Sequence, residues 1–183
     1  MTCATQPWRP ALADDFVPDR ILGLLVEHEV AFILTGGLAA VAHGSPLATW
    51  DVDITPEASP ANLDRLATAL RALHTRVRHP NNPAGLPFSC DATSLAAESS
   101  WDLTTPFGDL DIAFTPAAST GYGSLVAGAA VIDFRGIPVQ LASLADVVDS
   151  TTTANRPKDL RALPVLRELL AAQTRARAAR PRP

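Results

Sequence analysis

Apolar residues recur at helical spacing from Ile21 through Leu22, Leu25 and Val26, behind Pro18-Asp19. Proline suits a helix's first turn and aspartate complements its dipole, so a helix is predicted from Pro18 to Glu29. The period then changes. Val30 to Leu34 reads as a short buried strand, and Leu38 to His43 as a small-residue helix that Gly44 ends. Pro46 breaks the chain before a second strand around Asp51-Val52-Asp53-Ile54-Thr55. Between Pro56 and Leu73, the stripe Leu63, Leu66, Ala67 and Leu70 predicts a helix with Ser59 as cap, crossing from this strand to the next. From Arg76 to Ser100 no period holds, and His79-Pro80-Asn81-Asn82-Pro83-Ala84-Gly85 is rich in turn formers, so a long loop bordering the functional site is expected. Trp101–Thr105 and Leu110–Phe114 form a predicted hairpin around Pro106-Phe107-Gly108. A short helix or turn at Gly121 to Ala127, strands Ala130–Phe134 and Ile137–Leu141, and a helix beginning at Leu144 follow. Last comes a helical repeat of Leu163, Leu166, Leu169 and Leu170 behind Arg156-Pro157-Lys158-Asp159.

Candidate chemistry sits in the second strand. Side chains of a strand alternate, so Asp51 and Asp53 project together while Val52 and Ile54 project the other way. Two such carboxylates repel, and a divalent cation between them removes that cost. Mg²⁺ favours one or two carboxylates plus substrate phosphates. Gly36-Gly37, at a strand-to-helix turn, offers backbone N–H groups and room for a phosphate. Asp109 and Asp111 share one face of their own strand.

Composition narrows the picture. The 183 residues, 47% hydrophobic, suit one domain or one with a small helical appendage. The net charge of −4 argues against a protein that coats nucleic acid. Cys3 and Cys90 give neither a disulfide framework nor a zinc pattern. No apolar run reaches the length of a membrane span, so a cytoplasmic location is expected. There is no internal repeat.

Gly36-Gly37, then Asp51-x-Asp53 behind an apolar residue, resembles the signature of the nucleotidyltransferase superfamily, which has the DNA polymerase β-like fold. His43-Gly44 and Thr49 stand where many small prokaryotic members have H-G and Thr. The resemblance implies an α+β fold: a mixed, mostly antiparallel sheet flanked by helices, with C-terminal helices. The chain divides into an irregular arm (1–17), a nucleotidyltransferase domain (18–142), a helical segment packed on it (143–173) and, from its arginines and prolines, a disordered basic tail (174–183). The resemblance also implies a third carboxylate on a neighbouring strand. Gly108-Asp109-Leu110-Asp111-Ile112 makes that Asp111, with Asp109 as the fallback. By the same resemblance, Asp51, Asp53 and Asp111 hold Mg²⁺ or Mn²⁺, and Gly36 and Gly37 seat the phosphates of a nucleoside triphosphate. Lys158, with Arg156 as a weaker candidate, supplies positive charge. His43 reads as a packed histidine; Trp101 and Arg135 read as structural edge residues.

Within the superfamily, the short length, the G-G-x-A-x-x-x-H-G run and the R-P-K-D element resemble the AbiEii/MenT-like prokaryotic toxins. That branch implies transfer of nucleotide onto RNA, at the tRNA 3′ end, and an antitoxin protein as partner. The alternatives are an antibiotic-modifying adenylyltransferase, or an inactive binding module of the same fold. Two departures stand out: no Arg precedes Thr49, and the Gly-Gly turn lacks the neighbouring Ser of many polymerase-like members.

Overall fold

A computed structural model describes residues 16–179. The arm around Trp8 and the last four residues of the tail lie outside the described residues. The elements run α1 (Pro18–Glu27), β1 (Phe32–Thr35), α2 (Gly36–Ala42), β2 (Asp51–Pro56), α3 (Pro60–Ala72), β3 (Arg76–His79), β4 (Asn82–Leu86) and α4 (Ala92–Ala96). There follow β5 (Ser100–Thr105), β6 (Gly108–Ala113), α5 (Tyr122–Leu125), β7 (Ala130–Phe134), β8 (Ile137–Leu141), α6 (Leu144–Ala154) and α7 (Pro157–Ala178).

The strands form one sheet in the order β4-β3-β5-β6-β2-β1-β8-β7. Among the described residues, only β1 with β8 and β2 with β6 pair parallel, and the other pairs are antiparallel. The fold class is therefore the expected α+β arrangement. α1 packs on β2, β6, β8 and α3, while α2 packs on β1, β2 and α6, with α7 against α6. The core gathers Ile21, Leu22 and Leu25 of α1, Leu66 and Leu70 of α3, and Ile33, Leu34, Val52, Ile54, Leu110 and Ile112 of the central strands.

The departures from expectation have local causes. The stretch from 76 to 100 is not a loop: Pro80 and Asn81 turn the chain between β3 and β4, an antiparallel hairpin at the sheet's edge. Turn residues hid it, and Pro83 lies in β4, the strand at the end of the sheet, where a missing N–H costs least. α3 crosses, as expected, from β2 to the next strand of the chain, β3, which lies beyond β6 and β5. Helix α2 begins at Gly36 itself, so the glycines form its first turn. α7 continues through Ala178, which makes residues 174–178 helical where a disordered tail was expected. His43 is packed as expected, its Nε2 lying 2.8 Å from the Ala142 carbonyl oxygen. Trp101 is also structural: its indole donates to the Leu95 carbonyl and stacks on Phe88. Arg135 takes φ 53 in the β7–β8 turn and pairs with Asp19 at 3.1 Å.

One buried polar residue ties α3 to the sheet. Asn62 accepts from the Ala31 N–H (2.7 Å) and donates to the carbonyls of Ala31 (2.9 Å) and Glu57 (2.8 Å). It thus joins the start of β1 to the end of β2, and its own exposure is 0%. Asn62→Leu would leave the Ala31 N–H and the Glu57 carbonyl without this partner in an apolar setting, while the Ala31 carbonyl keeps the Glu57 N–H at 2.9 Å. It is expected to lower stability by about 3 kcal/mol, read as a shift in the urea unfolding midpoint.

Candidate active site

β2 and β6 run side by side in register, Asp51 beside Asp109, Val52 beside Leu110, Asp53 beside Asp111 and Ile54 beside Ile112. The two strands carry the same alternation, D-V-D-I and D-L-D-I. In-register neighbours share a face, so the apolar set enters the core and the carboxylates all emerge on the other side. β5 adds Asp102 beside Asp111. Oxygen atoms of Asp51, Asp53 and Asp111 lie within 4.8 Å of one another. Asp111 therefore stands where the sequence places it, next to Asp53.

This crowding is costly. Burial, then the Asp51 charge, pushes the Asp53 carboxyl up to about 6, against the pull of Lys158, the Gly37 N–H and Arg156. Burial pushes Asp111 up to about 7; Arg78 pulls it back, while Asp53, Asp102 and Asp51 push it further. The donor set is all oxygen, with no thiolate or imidazole, and suits a hard divalent cation such as Mg²⁺ or Mn²⁺. Such an ion would offset both the burial and the repulsion that raise the two groups.

The double glycine makes room for these acids. A Cβ on Gly36 would collide with the Asp53 carboxylate, and the residue sits at φ +60. A Cβ on Gly37 would stand 2.5 Å from Thr49 Oγ1. The Gly37 N–H donates to Asp53 Oδ2 at 3.3 Å, and the Thr49 hydroxyl donates to Asp51 Oδ1 at 2.6 Å. α7 brings up the basic groups. Lys158 Nζ lies 3.9 Å from Asp51 Oδ2, a loose contact by an exposed side chain. Arg156 caps α7 and folds back on Asp159, whose Oδ2 accepts from its Nε at 2.9 Å and from its backbone N–H at 3.0 Å.

Two cavities flank the acids. One, of about 310 Å³, is lined by Asp102, Asp111, Asp53, Ser119, Thr151 and Arg156 among others. The other, of about 290 Å³, is lined by Gly36, Gly37, Asp51, Asp53, Lys158 and Arg161 among others. Asp53 and Arg156 border both; Asp111 borders only the first, and Asp51 only the second. The loop of residues 45–49 lacks an arginine, and positive charge reaches the second cavity from α7 instead.

Three solved structures share this architecture. The lincomycin-bound lincosamide antibiotic adenylyltransferase LnuA superposes with a TM-score of 0.57 at 12% identity, over 88% of this chain and 99% of that one. The chain shares the fold of this adenylyltransferase. The antibiotic-resistance factor ANT(2'')-Ia, in complex with adenylyl-2''-tobramycin, gives 0.54 at 16% identity over 92% and 100% of the two chains. Its solution structure gives 0.51 at 15% identity over 88% and 91%. No protein-family model matches the sequence, and no curated protein does. No helix among the described residues is long and apolar enough to cross a membrane.

Sequence reasoning missed Arg78, on β3. It donates to Asp109 Oδ2 at 2.7 Å and to Asp111 Oδ1 at 2.6 Å. The alternation R-V-R-H was the available signal, hidden by the turn residues that follow.

Both raised carboxyls lie above the ordinary 3.8, so their charged forms destabilise the fold. Without divalent cation, stability is expected to rise as pH falls through about 7 and 6, with the gain complete near 4. Asp91 and Asp159 are held below 3.8 and lose their contribution only at lower pH. Thermal unfolding followed between pH 8 and pH 4.5 should show this rise, and Asp53→Asn should flatten it. Mg²⁺ at pH 7.5 should raise Tm in the native chain and not in Asp53→Asn. Gly36→Ala, which displaces the Asp53 carboxylate, should abolish the Mg²⁺ effect.

Proposed function

We propose that this chain is a metal-dependent nucleotidyltransferase that moves the monophosphate part of a nucleoside triphosphate onto a hydroxyl of a small molecule. The observation that carries this reading is the division of the acids between the two cavities, with Asp53 on their shared border. In-line displacement at phosphorus needs the attacking and leaving oxygens on opposite sides of one charged centre. Bound Mg²⁺ or Mn²⁺ would neutralise charge on both oxygens. Asp51, Asp53 and Asp111 would hold it. Lys158 and Arg156 would face the triphosphate in the second cavity, where Gly36 and Gly37 let phosphate approach. Asp111, on the border of the first cavity, would take the proton of the acceptor hydroxyl as the new O–P bond forms and pyrophosphate leaves.

For the acceptor, the first cavity is of small-molecule size and carries Asp102 and Asp111. These carboxylates would repel the phosphates of RNA and attract an amine-bearing polyol. The likeness in fold to a lincosamide antibiotic adenylyltransferase and to ANT(2'')-Ia in complex with adenylyl-2''-tobramycin supports the same choice. An RNA acceptor, with an antitoxin partner, rests on the motif resemblance and on Arg175 and Arg177 in the last turn of α7.

Incubation with Mg²⁺, each labelled triphosphate, and either aminoglycosides, lincosamides or total tRNA decides the matter. Label is expected in a small molecule and is expected to fall about a hundredfold or more in Asp51→Asn and Asp111→Asn. Label in tRNA would make RNA the acceptor. No transfer from any triphosphate would leave a binding module.

A further inference from the structure

We infer that Arg78 is a positioning residue that selects Asp111, rather than Asp109, as the third acid of the cation-binding face. The inference rests on reading that face as a metal site. Register alone does not distinguish the two acids, because Asp109 stands beside Asp51 just as Asp111 stands beside Asp53. Yet among the described residues the convergent set is Asp51, Asp53 and Asp111. The group that touches both rivals is the Arg78 guanidinium. It reaches across β5 from β3, with Asp102 Oδ1 at 3.6 Å, NH1 on Asp109 at 2.7 Å and NH2 on Asp111 at 2.6 Å.

A guanidinium fork is planar and its N–H groups diverge at a fixed angle, so it can hold two carboxylates at a fixed spacing. A lysine ammonium is a point charge without that constraint. Arg78 approaches from the β5 side, away from β2. Both acids are engaged from that side through one oxygen each. Asp111 still keeps an oxygen near Asp51 and Asp53, whereas Asp109 is outside the set. The β3–β4 hairpin thereby has a purpose: it carries the arginine to the acid face.

The test is Mn²⁺ affinity of the purified full chain, measured by titration with detection of free Mn²⁺ by electron paramagnetic resonance. With Arg78 present, Asp111→Asn is expected to weaken binding about tenfold or more, and Asp109→Asn less than about threefold. In the Arg78→Met background this gap should close, as Asp109 becomes an equivalent ligand. Arg78→Lys keeps the charge without the fork and should close it too; it also serves if circular dichroism shows Arg78→Met unfolded. Equal losses for the two asparagine variants with Arg78 present, or an unchanged gap in both Arg78 variants, would overturn the inference. Because the readout is affinity, failure to transfer nucleotide with this Mn²⁺ pattern intact would sink only the enzymatic reading. Absence of Mn²⁺ binding by the native chain would sink the metal face and this inference with it.

Discussion

Repulsion among carboxylates on adjacent parallel strands is the constraint around which the remainder of this structure is arranged. Two D-x-D-I strands in register bury four aliphatic side chains on one face and must crowd four acids on the other. The core gains from that register, and a shift by one residue would turn every side chain to the wrong face. The acids cannot be relieved by sliding the strands. Relief comes instead from residues around them: the Thr49 hydroxyl on Asp51, the Gly37 N–H on Asp53, Arg78 on Asp109 and Asp111, and Lys158 at longer range. Burial, with the remaining repulsion added to it, keeps two carboxyls well above their ordinary range. A face left in that condition is poised for a cation.

The glycines are best understood in the same terms. Their first consequence is steric: side chains at 36 and 37 would occupy the space of Asp53 and Thr49. Any grip on phosphate is additional to that. Helix α2 opens against the very carboxylate it accommodates, so β1, α2 and β2 form one unit.

How legible all this was in the sequence depended on whether the signal was local. The alternation of Asp51 to Ile54 and of Asp109 to Ile112 announced two strands and two acid faces, and both are where the pattern places them. The β7–β8 hairpin was equally plain, because apolar runs flank Arg135-Gly136. The β3–β4 hairpin was not: its strands are short, Pro83 breaks the β pattern, and Pro80-Asn81 resembles loop. With that hairpin went Arg78, whose partners lie on β5 and β6 and which no spacing rule connects to them. The extension of α7 past residue 173 was missed because arginine and alanine there were read as a tail, although both are good helix formers. The cavities, lined by α2, α6, the start of α7, the sheet and the loops at 45–49 and 116–119, have no signature along the chain.

The parallel pairing of β2 with β6 also bears on how the chain reaches its native state. Between the two strands the chain travels through α3, out to β3 and β4, and back along β5. Contacts closed across so long a detour form slowly and raise the entropic barrier, whereas hairpins such as β5–β6 close early. The convergent oxygen set spans β2 and β6, so hairpins formed alone do not contain it. A divalent cation would distinguish the completed sheet from its precursors, slowing unfolding far more than it hastens assembly.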